Sequence, residues 1–65
     1  MDALTPREIE TLEWVASGKT DLEIGKIMGL SEHTIDMRMR VIREKLGACT
    51  RAQAVAVAFR RKLVE

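Results

Sequence analysis

The chain has 65 residues, with 11 Lys+Arg against 10 Asp+Glu and a formal net charge of +1. That length holds one small domain over residues 1–65 and leaves no room for a walled catalytic cavity beside a core, which argues against an enzyme. At 46% hydrophobic and 32% charged, with four glycines and one proline, the composition is that of a globular domain rather than a disordered chain or a turn-rich barrel.

The total charge conceals a segregation. Residues 1–37 carry three basic and eight acidic side chains, a balance of −5, whereas residues 38–62 carry eight basic and one acidic, a balance of +7. A local excess of this size creates a field that faces a polyanion. Cys49 is the only cysteine, so neither an intramolecular disulfide nor a cysteine metal cluster is expected, and a reducing, cytoplasmic compartment is. Cys49 is expected in a loop, partly buried. The N-terminus lacks a basic-then-apolar signal segment and no apolar run approaches a membrane span, so the chain is expected to be soluble, without a membrane partner. Nothing ahead of Leu4 reads as a regulatory domain. The chain is expected to be either free-standing or the excised end of a larger regulator.

Four helical segments follow, and the expected fold is all-α, a compact four-helix bundle containing a helix-turn-helix. Thr5-Pro6-Arg7-Glu8 starts the first helix: Thr5 caps, Pro6 fits the first helical position and Glu8 completes a capping box. Ile9, Leu12, Val15 and Ala16 form its apolar face, Trp14 points away from that face, and Ser17-Gly18 ends it. Thr20-Asp21-Leu22-Glu23 repeats the capping-box pattern. Leu22, Ile24, Ile27 and Met28 follow, and Gly29 closes this short helix. Ser31 then caps a third helix, so two capped segments meet across Gly29-Leu30-Ser31, a turn that forces a sharp angle.

The third helix is expected over Glu32–Leu46. At 100° per residue Ile35, Met39, Ile42 and Leu46 share one narrow face. His33, Asp36, Met37, Arg40 and Glu44 lie opposite, with Arg43 on the flank. Gly47 ends this helix, and Thr50 caps a fourth that runs to about Lys62. Ala52, Val55, Ala56, Phe59 and Leu63 are expected to face the core. Ala54, Val57, Arg61 and Val64 lie away from that stripe and are expected to meet a partner helix.

A chain this short holds duplex DNA by neutralising phosphates with Lys and Arg and by aiming helix N-termini at phosphate oxygens. The first turns at Thr20 and Ser31 supply backbone N–H groups, and their hydroxyls as well where capping leaves them free. Arg38, Arg43 and Lys45 supply charge along the third helix, and Arg40 suits a bidentate contact to guanine. Asp36 is repelled by phosphates unless it accepts from cytosine N4 or orients a neighbouring arginine. One module of this size covers too little DNA for tight, specific binding, so two copies on a two-fold-symmetric site are expected. His33 alone is no metal site, a catalytic pairing of Cys49 with His33 lacks an orienting third group, and no cofactor or small-molecule ligand is expected. The competing reading is a protein-interaction module, or anti-activator, that keeps the scaffold but docks a protein through Asp36, Met37 and Glu44.

From Leu4 to about Val64 the chain resembles the LuxR-type helix-turn-helix domain of bacterial transcription regulators. The resemblance is carried by Leu4-Thr5-Pro6-Arg7-Glu8, the Gly18 turn, Glu23-Ile24, Leu30-Ser31-Glu32 with Thr34-Ile35, Lys45-Leu46-Gly47, Arg51 and Ala54-Val55. Gly18-Lys19-Thr20 and the Trp14 position are most similar to the quorum-sensing branch, which responds to acyl-homoserine lactones; the receiver-fused branch competes. The resemblance implies that the third helix is the recognition helix and the fourth dimerises, with RNA polymerase a further partner. It implies base reading at Asp36, Met37 and Arg40, and backbone contacts at Thr34, Lys45 and the start of the second helix. Many relatives have an aromatic or small residue where Met37 stands, His at Arg38, Asn at Val41, and a basic or neutral polar residue at Asp36. Those departures leave the fold intact and change what the helix can read.

Overall fold

The computed structural model describes residues 3–65; Asp2, counted among the acidic residues above, lies outside them. Four helices succeed one another, α1 (Pro6–Ala16), α2 (Asp21–Met28), α3 (Glu32–Leu46) and α4 (Arg51–Arg60), and the described residues contain no strand. Each helix starts where a side-chain oxygen replaces a missing acceptor. Thr5 Oγ1 accepts from Glu8 N–H at 3.2 Å while Thr5 N–H donates to Glu8 Oε1 at 2.8 Å. Thr20 and Glu23 repeat that exchange at 3.2 and 2.9 Å. Ser31 Oγ accepts from Thr34 N–H, and Thr50 Oγ1 from Gln53 N–H, both at 3.0 Å.

α3 is the axis of the bundle and packs against each of the other three helices. Its stripe of Ile35, Met39, Ile42 and Leu46 is buried, as the 3.6-residue period requires. Leu12 and Val15 of α1, Ile24 of α2 and Ala54, Val57 and Ala58 of α4 close around it, and Val64 completes the core. The assembly measures 28 × 20 × 20 Å.

The α2–α3 turn is set by two glycines. Gly29 ends α2 at φ 73°, a left-handed conformation that side chains disfavour. Gly25, inside α2, lies buried against the chain that leaves the helix, and its carbonyl accepts from Leu30 N–H at 2.7 Å. A Cβ on Gly25 would run into the Leu30 carbonyl oxygen and sit 3.3 Å from the Ser31 carbonyl carbon. The close approach is backbone on backbone, so no side chain can swing aside to relieve it.

The sequence reading of α4 is corrected. Ala54, Val57 and Val64, expected on a partner-facing side, are buried in the core, while Arg61 is exposed. Most of the strip expected to be core is outward: Ala52 and Ala56 are exposed and Phe59 is 47% exposed, while Val55 and Leu63, as expected, pack half-buried against the core. Apolar residues occupy both sides of this helix, so its periodicity supports either orientation. Packing decides it, because Ala54 and Ala58 let the helix approach close to its neighbours where Phe59 would hold it off. α4 also ends at Arg60 rather than near Lys62. Lys62 turns back at φ 59° and Leu63 N–H donates to Ala58 O at 2.9 Å, which returns Val64 to the core.

Smaller differences have similar causes. Trp14 is half-buried against the core rather than turned from it, its indole N–H 3.5 Å from Glu10 Oε2. Cys49 is exposed. Of the apolar side chains of α2 only Ile24 is fully buried and Met28 partly so, while Leu22 and Ile27 face outward.

Gly25→Ala is expected to destabilise the domain by about 1–3 kcal/mol, as overpacking against rigid backbone does. In a chain of this size each lost kcal/mol lowers Tm by about 4–8 °C. Thermal unfolding followed by far-UV circular dichroism reads the shift. An unchanged Tm would mean that the α2–α3 turn relaxes freely.

Candidate nucleic-acid interface

Because α3 buries Ile35, Met39, Ile42 and Leu46, its opposite side has to face outward. His33, Asp36, Met37, Arg40 and Glu44 are all exposed there, and Arg43 is half-buried on the flank. Neither Arg40 nor Arg43 makes an ion pair among the described residues. The turn brings the first residue of α3 close to Gly25 of α2, and the two helices pack together. The backbone N–H groups of Asp21 and Leu22, and of Glu32 and His33, occupy the first two positions of their helices, where no intrahelical acceptor exists.

The capping hydroxyls are engaged. Thr20 Oγ1 accepts from Glu23 N–H, and Ser31 Oγ accepts from Thr34 N–H while lying 2.9 Å from Thr34 Oγ1. An accepting hydroxyl still holds one proton to donate, so capping restricts these groups without consuming them.

Two of the expected DNA contacts are turned toward the protein instead. Arg38 is half-buried, its stem along the core edge, with Nη1 3.4 Å from the hydroxyl of the buried Thr11 on α1. Thr11 in turn donates to Arg7 O at 2.9 Å. Lys45, expected to meet the DNA backbone, sits at the α1 side of α3. Its Nζ lies 2.8 Å from Glu8 Oε1 and 3.4 Å from Ala3 O, and the two charged side chains are 20% and 11% exposed. Glu8 Oε1 therefore accepts from both the α1 N-cap and the end of α3. Sequence reading identified the cap and missed the tertiary pair, because Lys45 lies 37 residues away and nothing local joins them.

A second ion pair was equally invisible from sequence. Arg51 Nη2 at the start of α4 lies 2.7 Å from Asp21 Oδ1 at the start of α2, a charge contact in which that oxygen accepts no hydrogen bond. Arg51 belongs to the sequence resemblance, which was the one available signal. No group of three metal-ligating side chains and no helix long and apolar enough to cross a membrane occurs among the described residues.

The arrangement is that of a helix-turn-helix regulatory domain. The family model of "Bacterial regulatory proteins, luxR family" matches residues 2–58, and the chain belongs to that family of DNA-binding regulatory domains. It is 41% identical over 61 residues to the transcriptional activator protein BjaR1 of Bradyrhizobium diazoefficiens, covering 94% of this chain and 25% of that protein. It is 41% identical over 56 residues to VjbR of Brucella abortus, an HTH-type quorum sensing-dependent transcriptional regulator, covering 86% of this chain and 22% of that one. Among solved structures it is similar to the response regulator ChrA of a heme-sensing two-component system, with a TM-score of 0.91, 30% identity, and coverage of 97% of this chain and 31% of that one. The chain thus spans about a quarter of the length of its curated relatives. BjaR1 and VjbR are transcriptional regulators by name.

The Glu8 carboxyl feels opposed effects. Burial pushes its pKa up, but the Lys45 hydrogen bond, the Thr5 backbone N–H, the Lys45 charge and the Thr5 hydroxyl together hold it below the ordinary 4.5. A lowered folded-state value means that the ionised form stabilises the fold above pH 4.5, and that this stability drains away as pH falls through the lower value. Glu8→Gln keeps a capping side chain and removes the charge. The variant is expected to be less stable by about 1–2 kcal/mol at pH 7, with the difference shrinking below pH 4.5 in urea titrations at several pH values. A deficit of undiminished size at pH 3 would assign the effect to packing rather than charge.

Proposed function

We propose that this chain is the DNA-reading output domain of a bacterial transcription regulator, binding a two-fold-symmetric operator as a dimer. The observation that carries this reading is the outward face of α3, where Arg40 and Arg43 stand without ion-pair partners on the helix whose own first N–H groups are open. An α-helix about 10–12 Å across with its side chains fits a major groove about 12 Å wide. In this reading Asp36, Met37 and Arg40 meet base edges, Arg40 taking guanine O6 and N7. His33, Thr34, Arg43, Thr20 and Ser31 meet the backbone, with Arg38 contributing a donor that Thr11 leaves free. Lys45 serves the fold through Glu8.

The dimer contact moves with the corrected orientation of α4. Ala52, Ala56 and Phe59 recur at helical spacing on the side away from the core, with the half-buried Val55 at the edge of that strip, and a half-exposed Phe59 is the kind of aromatic anchor that binding surfaces use. BjaR1 and VjbR, by the activation and quorum-sensing dependence in their names, support the quorum-sensing branch, a sensing domain joined to this one and RNA polymerase as a further partner. The likeness to ChrA supports an output unit that works under more than one kind of sensor.

Arg40→Ala is expected to lose about tenfold or more of the discrimination between a selected duplex and a scrambled one. Arg43→Ala should weaken both duplexes alike and reduce the salt slope by about 1. Equal losses on both duplexes for Arg40→Ala would remove its base-reading role. Absence of binding to mixed genomic fragments at low salt would favour a protein partner on the same face. Phe59→Asp should weaken binding to a duplex with two half-sites while leaving a single half-site unaffected. If both duplexes lose equally, the dimer contact lies elsewhere.

A further inference from the structure

Resting on the DNA-reading function proposed above, we infer that α3 selects its operator through two parallel lines of side chains. One is a thymine-methyl strip formed by Met37 and Val41. The other is a charged line in which Asp36 accepts from cytosine N4 while Arg40, one turn on, takes guanine.

The geometry of the helix makes the two lines. Met37 and Val41 are four residues apart, so they stack on one side of the helix, and they are 42% and 41% exposed. Asp36, Arg40 and Glu44, also four apart, form a neighbouring line and are all exposed. Among the described residues neither Met37 nor Val41 belongs to the core or packs against it, and the apolar feature that major-groove base edges offer is the thymine C5-methyl. Val41 extends the reading surface one turn beyond Met37, to a position that no base-reading role had reached.

Asp36 is decided by what it does not touch. Its carboxylate makes no ion pair with Arg40 or any other cation among the described residues, so orienting the arginine does not account for it. Placed against a duplex, an unpartnered carboxylate is repelled by phosphates and by the acceptors of guanine and thymine. Cytosine N4 donates without an adjacent acceptor on the same base edge, whereas adenine sets N7 beside its N6 donor. Asp36 therefore binds one base and penalises the others, which is how an interface gains specificity at the expense of affinity. A rise of 1.5 Å per residue separates Asp36 from Arg40 by about 6 Å, or about two base steps.

The test uses the 65-residue chain and duplexes selected by it from a random pool. The enriched half-site should pair a cytosine with a guanine about two steps away and place thymine beside them. Replacing that thymine by deoxyuridine removes only the methyl group and should weaken wild-type binding about fourfold, the value of one buried methyl. Val41→Ala should show no further loss with deoxyuridine. Asp36→Asn should lose the cytosine preference and bind scrambled duplex more tightly than wild type. Both substitutions are at exposed positions, and far-UV circular dichroism confirms that the fold is kept. If the deoxyuridine duplex binds as tightly as the thymine duplex, or Asp36→Asn keeps its cytosine preference, the inference is overturned while DNA reading stands. If no half-site is enriched, DNA reading falls and takes the inference with it.

Discussion

The backbone-to-backbone approach of Gly25 to Leu30 is the constraint on which the remainder depends. With no Cβ at Gly25, the chain leaving α2 can pass directly over the helix it has just left, held by the Leu30 N–H to Gly25 carbonyl hydrogen bond. That passage fixes the angle between α2 and α3. The angle decides which side of α3 meets Leu12, Ile24 and Ala54, and so which side is left outward. The presentation of Arg40 is thus a consequence of a missing methyl group fifteen residues earlier. Gly29, in its left-handed conformation, only has to deliver the chain into this contact.

What sequence revealed and what it hid follow from the range of the interactions involved. The boundaries of α3 and the caps Thr5, Thr20, Ser31 and Thr50 are local, carried by residues three or four apart, and all were legible. The outward face of α3 was legible too, because its buried stripe is narrow and its opposite side strongly polar. α4 has no such contrast. Its alanines and valines surround the helix, and only contact with α3 and α1 selects the Ala54–Val57–Ala58 side. Glu8 was read correctly as a cap and incompletely as a charge, since its partner Lys45 comes from the far end of another helix. Gly25 gave no signal in the sequence; only the turn above it gives a reason for glycine there.

The opposition between an acidic first half and a basic second half takes a different form in space. Glu8 and Asp21 belong to the acidic half, Lys45 and Arg51 to the basic half, and each pair joins across the fold. Arg38 turns toward Thr11. Part of the excess that pointed to a polyanion is therefore spent inside the molecule, holding α1 to α3 and α2 to α4. Asp21, at the start of α2, has its charge answered by Arg51.

This division leaves α3 with few cations facing outward, and Asp36 and Glu44 stand among them. A surface so composed gains little from phosphate attraction alone, because each carboxylate offsets a guanidinium wherever the sequence of the duplex supplies no donor. On the proposed function, affinity then comes from base edges that fit and from a second copy of the domain. In that reading the exposed strip of α4 around Phe59 and the mixed-charge face of α3 are complementary solutions to one shortage of phosphate-facing charge.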